Sequence, residues 1–96
     1  MWSLHYLEEA AAELRQAVGW YSEQQQSLGV RFLRTIDILV DTIRKDPERF
    51  PIVHQDIRRA LIRRFPYGIH FAVRDETILI LAVFHAKRNP ESWKAR

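Results

Sequence analysis

The sequence predicts an α+β fold in the order β-α-α-β-β-β: a helix hairpin packed on one face of a small, mainly antiparallel sheet, with a short C-terminal helix or stub. Three observations carry this reading. Apolar residues recur at helical spacing from Leu7 to Ile43 and at strand-like spacing from Arg59 to Phe84, and Pro47 and Pro51 stand between the two patterns. With 96 residues, the chain is read as a single domain over residues 1–96, because two cores of half that size would each bury too little surface.

Trp2 to Tyr6 is short, aromatic and alternating, which suits an opening strand. Leu7, Ala11, Leu14, Val18 and Tyr21 then share one helical face, and Glu8 and Glu9 sit where the helix dipole favours acids. This first helix is expected to run to about Gln26, with Ser27-Leu28-Gly29 as the break. Phe32, Leu33, Ile36, Val40 and Ile43 resume the pattern until Asp46-Pro47, where proline removes a donor and clashes with the preceding turn. Three strands follow, Arg59 to Phe65, Ile69 to Arg74 and Ile78 to Phe84, and their short connections make them antiparallel neighbours. A stub after Pro90 completes the chain as given.

Strand parity sorts the side chains. If Asp75-Glu76 is a two-residue turn, Ala72 lies opposite Leu79 and His70 opposite Leu81. Tyr67, Ile69, Phe71, Val73, Ile78, Ile80, Ala82 and Phe84 then face the helices, and His70, Ala72, Arg74, Leu79, Leu81, Val83 and His85 form an open face. A turn centred on Pro66-Tyr67 adds Arg59, Leu61 and Arg63 to the open face and sends Arg64 the other way. A slip of one residue would exchange the two faces.

Charge is unevenly distributed. Residues 1–53 hold 6 Lys/Arg against 8 Asp/Glu, and residues 54–96 hold 9 against 4. A basic second half points to a nucleic acid or an acidic protein as partner, or else to a solvated basic face. The absence of cysteine excludes disulfides, thiolate metal sites and thiol nucleophiles, and suits a reducing cytoplasm. No apolar run approaches the roughly 20 residues of a membrane span, and the N-terminal residues lack a basic segment followed by an apolar one, so no membrane partner or export is expected. His5 and His54 have no spaced partners, and neither a metal nor another cofactor is expected.

Arg63-Arg64-Phe65-Pro66-Tyr67-Gly68-Ile69-His70-Phe71, the apolar Ile78 to Phe84, and then His85-Ala86-Lys87-Arg88-Asn89-Pro90 with Trp93 resemble the C-terminal half of RelE/ParE toxins. The helix hairpin and first strand extend the resemblance over nearly the whole chain. It implies the toxin half of a bacterial type II toxin-antitoxin module, of the kind linked to plasmid stabilisation and growth inhibition, bound by a cognate antitoxin and able to form a heterotetramer with it. The Phe-Pro-Tyr form is more similar to the ParE side, whose members poison DNA gyrase. The alternatives are a RelE-like endoribonuclease acting on mRNA in the ribosome, and an inactive member that keeps only antitoxin binding.

Metal-free RNA cleavage requires a base for the 2′-hydroxyl, cations for the phosphate and an acid for the leaving oxygen. The candidates are His85, Arg63, Arg88 and Tyr67, with His85 held neutral by Lys87 and Arg88. Arg59, Arg63, Arg64, His70, Arg74, Lys87, Arg88 and Lys94 are candidates for contact with the target or a nucleic acid. Leu79, Leu81 and Val83, apolar on an open face, together with Trp20, are candidates for antitoxin contact. Trp93 and Phe50 are expected to anchor the C-terminal stub and the loop before the meander.

Overall fold

A computed structural model describes residues 2–88 and 91–96; Asn89 and Pro90 of the C-terminal motif lie outside the described residues. The elements are β1 (Ser3–Tyr6), α1 (Glu8–Gln24), α2 (Gln26–Lys45), β2 (Ile52–His54), β3 (Ile57–Leu61), β4 (Tyr67–Arg74) and β5 (Thr77–His85). Two 3₁₀ turns, Pro47–Arg49 and Glu91–Ala95, complete the set. The sheet order is β1-β5-β4-β3-β2. β1 runs parallel to β5 and every other pairing is antiparallel, so the helix hairpin and meander together return the chain beside its first strand. Among the described residues no helix is long and apolar enough to cross a membrane.

The helices break at Gln25, not at Ser27-Leu28-Gly29, which lies inside α2. Gly29 marks a close helix crossing: a Cβ there would collide with the Ser22 hydroxyl and lie 3.0 Å from Ser22 Cβ and 3.1 Å from the Val18 carbonyl oxygen. The hydroxyl can rotate away, but the Val18 backbone cannot. Gly29→Ala is therefore expected to destabilise the fold by about 1–2 kcal/mol despite alanine's higher helix propensity. A urea midpoint raised above wild type would contradict this account.

β2 is an addition to the expected meander; three residues behind Pro51 show too little alternation to be read as a strand. Arg58 pins this region by donating from Nη1 to the carbonyls of Glu48 and Phe50, at 3.1 and 2.6 Å. Phe50 packs edge-on against Phe71, ring centroids 5.8 Å apart, and anchors the loop as its aromatic character suggested. β3 ends at Leu61 rather than Phe65, and residues 62–66 form a wider loop closed by the Ile62 N–H donating to the Tyr67 carbonyl at 3.0 Å. Phe65 drops from this loop into the helix side, 5.0 Å from Tyr21 and 5.2 Å from Phe32 between ring centroids. The Phe-Pro-Tyr motif is thus a core plug that fixes where β4 begins.

Asp75-Glu76 is the expected two-residue turn, with Arg74 opposite Thr77 and Ala72 opposite Leu79. Both turn residues have positive φ, 52° and 63°, which matches the twist of the flanking strands. The one-residue slip occurs elsewhere. Phe71 pairs with Ile80 but His70 pairs with Ala82, so Leu81 is an extra residue in β5. Beyond this bulge the parity inverts. Val83 joins the helix-side core and His85 lies opposite Tyr67, whereas Ala82 and Phe84 move to the other face. The sequence-based placement of these four residues is corrected accordingly.

The helix-side core comprises Phe32, Ile36, Ile43, Ile69, Phe71, Ile78 and Ile80, all fully buried. The other face is not open. Trp93, on the C-terminal 3₁₀ turn, is only 4% exposed and packs with Ile57, Ala72, Leu81 and Ala82.

Candidate functional site

The bulge leaves the Leu81 carbonyl and the Val83 N–H off the ladder, beyond Tyr6 and Ile80, where the β1 pairing ends. Buried backbone groups need partners, and two charged side chains supply them. The Val83 N–H donates to Glu13 Oε1 at 3.1 Å, and Arg96 Nη1 donates to the Leu81 carbonyl at 2.8 Å. Arg96 and Glu13 also form a two-pronged ion pair of 2.9 and 3.1 Å. Their 83-residue separation gave the sequence no signal of this contact.

The same inversion creates a groove of about 850 Å³ between the C-terminal half of α1, Pro66-Tyr67 and the end of β5. Trp20, Tyr21, Tyr67, Val83, His85 and Arg88 line it, with Glu13, Gln16 and Glu23 on the α1 side. Trp20 is 55% exposed and meets Tyr21 edge-on at 5.0 Å. Tyr67 and His85 lie across the strand pair with ring centroids 5.2 Å apart. Of the four catalytic candidates, the groove gathers three: His85, Tyr67 and Arg88.

His85 is held neutral: burial lowers its pKa first, and the charges of Arg88 and Lys87 lower it further. Its Nδ1 accepts a hydrogen bond from the Lys87 backbone N–H at 3.1 Å. A neutral imidazole has one lone-pair nitrogen, so the proton resides on Nε2 and the lone pair is already engaged. In this geometry His85 offers a donor to the groove rather than a base.

Arg63 is elsewhere. It follows β3 instead of lying within it, and with Arg64 it lines a second groove against α2. The placement of Arg63 on the open face beside His85 is therefore corrected. His70 is also removed from any target contact, being 1% exposed and sandwiched between Phe84 and Trp93 at 4.2 and 3.8 Å. Arg59 Nε donates to His70 Nε2 at 3.2 Å, so the imidazole is neutral with its proton on Nδ1, which has no partner. Burial, and then the Arg59 charge, depress its pKa to about 4.

The remaining cations are partly committed. Arg74 forms a two-pronged pair with Asp56 at 3.1 and 3.2 Å, and Lys94 pairs with Glu91 at 3.2 Å. Lys87 and Arg88 are exposed. Leu81 and Val83 are buried in the chain itself and Leu79 is half-buried, so the apolar patch expected to await an antitoxin is covered from within. Only Trp20 of that group stays open to a partner. Among the described residues no three His, Cys, Asp or Glu side chains group as a metal site.

Residues 4–90 match the family described as ParE toxin of type II toxin-antitoxin system, parDE. A chain of the chromosomal ParDE TA system from P. aeruginosa superposes with a TM-score of 0.80 at 21% identity, covering 91% of this chain and 98% of that one. The isolated E. coli RelE toxin superposes with a TM-score of 0.71 at 18% identity, covering 99% and 95%. At these identities the two structures establish a shared fold. A search of curated sequences returns no match.

Proposed function

Since the chain belongs to the ParE toxin family of type II toxin-antitoxin systems, we propose that it arrests growth in the cytoplasm by binding DNA gyrase and is neutralised by a cognate antitoxin. The groove holding Trp20, Tyr67, His85 and Arg88 is the contact surface in this reading. It combines an exposed aromatic, a neutral imidazole donor and a cation, the kind of set that anchors a protein interface.

The observation that carries a binding role over a ribonuclease is the engaged Nδ1 of His85. A general base needs a free lone pair within reach of the 2′-hydroxyl. Arg63, the second cation a cleavage site would use, lines a different groove.

Purified toxin freed of antitoxin is expected to inhibit gyrase supercoiling. Trp20→Ala and Arg88→Ala should each weaken that inhibition by roughly tenfold, in the range of interface anchors, without moving the melting temperature. Supercoiling that proceeds unaffected by wild-type protein would remove the gyrase reading. Ribosome-dependent mRNA cleavage abolished by His85→Ala would replace it with the endoribonuclease.

A further inference from the structure

We propose that the groove beside β5 is also a nucleotide site, taking an unpaired guanine nucleotide with its base on the α1 wall and its phosphate at the end of β5. Two residues of α1 carry the inference, because each weakens the helix and nothing else in the chain requires either. Gly19 stands inside α1, where glycine is the least favourable residue after proline. Its φ is not positive, and a Cβ there would meet no other part of the chain within 4 Å, so neither conformation nor packing needs a glycine. Glu23 stands in the last turn of α1, where the helix dipole disfavours an acid and no basic residue offsets it. Among the described residues it joins no ion pair. Both line the groove, together with Trp20.

Spacing of three or four residues puts Gly19, Trp20 and Glu23 along one side of α1. Glycine leaves a flat stretch of backbone there, on which a planar group can lie beside the exposed indole of Trp20. Glu23 lies about one turn, roughly 6 Å, beyond Gly19, within reach of the edge of a base stacked there. Its carboxylate offers two acceptors side by side, and guanine is the base whose Watson–Crick edge sets two donors, N1–H and N2–H, side by side. The opposite end of the groove is cationic. Arg88 lines it, Lys87 is exposed next to it, and neither forms an ion pair among the described residues. His85 adds an Nε2–H donor, since its Nδ1 is engaged by the Lys87 N–H. These groups suit a phosphate, and the charge of Glu13 does not oppose it, being held by Arg96. At about 850 Å³ the groove has the size of a small-molecule site. An arginine from a protein partner would satisfy Glu23 and Trp20 but leave the cations without an anion; a nucleotide matches both ends. The site shares Trp20 and Arg88 with the proposed target contact but does not depend on gyrase being the target. A free nucleotide and an unpaired guanine in a single strand present the same chemistry to it.

The test titrates the purified full chain, freed of antitoxin, by calorimetry with GMP, AMP, guanosine and a single-stranded oligothymidylate carrying one guanine. GMP is expected to bind with a dissociation constant on the order of 10–100 μM. AMP and guanosine should each bind about tenfold or more weaker, for want of the donor pair and of the phosphate. The oligonucleotide separates the two sources: binding tighter than that of GMP assigns the site to a strand, and equal or weaker binding assigns it to the free nucleotide. Glu23→Gln should bring GMP and AMP within about twofold of each other, because an amide replaces one acceptor with a donor. Gly19→Ala should raise the melting temperature by about 4 °C or more and yet weaken GMP binding by about tenfold, the loss of a base stack. A stabilised fold that loses its ligand cannot be ascribed to misfolding. GMP binding absent up to about 1 mM, equal affinity of the wild type for GMP and AMP, or wild-type affinity for GMP in Gly19→Ala overturns the proposal. Wild-type protein that inhibits supercoiling but binds no nucleotide keeps the target reading and loses this site. Protein that binds GMP but leaves supercoiling unaffected does the reverse.

Discussion

Trp93→Ala is expected to lower the unfolding free energy by about 3 kcal/mol, at the lower end of the range for a buried tryptophan. The indole lies flat on His70, 3.8 Å between centroids and 19° between planes, and meets His54 edge-on at 5.9 Å. Beneath it are Ile57, Ala72, Leu81 and Ala82, apolar side chains that would otherwise face water. The effect stays at the lower end because Trp93 is carried by a short 3₁₀ turn, Glu91–Ala95, outside the sheet and the helix hairpin, so the loss cannot exceed what holds that segment down. Arg96 should detach with it, exposing the Leu81 carbonyl and weakening the Glu13 contact at the bulge. Urea denaturation reads the free energy, and faster proteolysis after Lys94 reads the detachment. An unchanged urea midpoint would mean that the segment does not hold the sheet.

A second large effect is pH-dependent and centres on His70. Its folded pKa is about 4, below the ordinary value of about 6.5 in an unfolded chain. Because the folded state resists protonation, the neutral form's stability is fully present above about pH 6.5 and is lost as pH falls toward 4. Between pH 7.5 and 4.5 the loss should be about 2–3 kcal/mol, since each tenfold difference in proton affinity between the folded and unfolded chains is worth about 1.4 kcal/mol. The charge facing the imidazole is Arg59, whose Nε donates to it, and the rings of Phe84 and Trp93 offer no anion. His70→Phe keeps an aromatic ring in the stack and cannot titrate. Urea unfolding of both proteins at the two pH values isolates the effect, because the carboxylates that also titrate are common to them. Equal losses in the two proteins would show that His70 is not the group responsible.

Much of the architecture is legible because it depends on local chemistry. The helical spacing of Leu14, Val18 and Tyr21, the stop at Pro47 and the alternation through β4 each act within a few residues. Asp75-Glu76 forms the expected turn although the pair is not a favoured one for hairpins. Gly29 is an instructive exception: glycine ends helices, but it also permits close helix crossing, and only the position of Ser22 and Val18 distinguishes the two uses.

The candidate site is legible only in part. His85, Tyr67, Arg88 and Trp20 all stand out in the sequence, but as members of different groups, and the structure brings them to one groove. His70 and His85 are expected together and lie on opposite faces of the sheet. The extra residue at Leu81 causes this, and nothing in Ile80-Leu81-Ala82-Val83 announces it, since four apolar residues in succession fit either parity.

By itself, then, the sequence determined the helix hairpin, the meander, the family resemblance and the residue types available for function, because each follows from periodicity or from side-chain chemistry. The tertiary structure decided which face each residue serves. A bulge in β5 moved His85 into a groove with Trp20 and gave Phe84 to the other side. The C-terminal turn then covered the apolar face with Trp93. Both depend on contacts between residues far apart in the chain, His70 with Trp93 and Glu13 with Arg96. Such contacts leave no local periodicity to read, because their energy is realised only when the whole chain has folded.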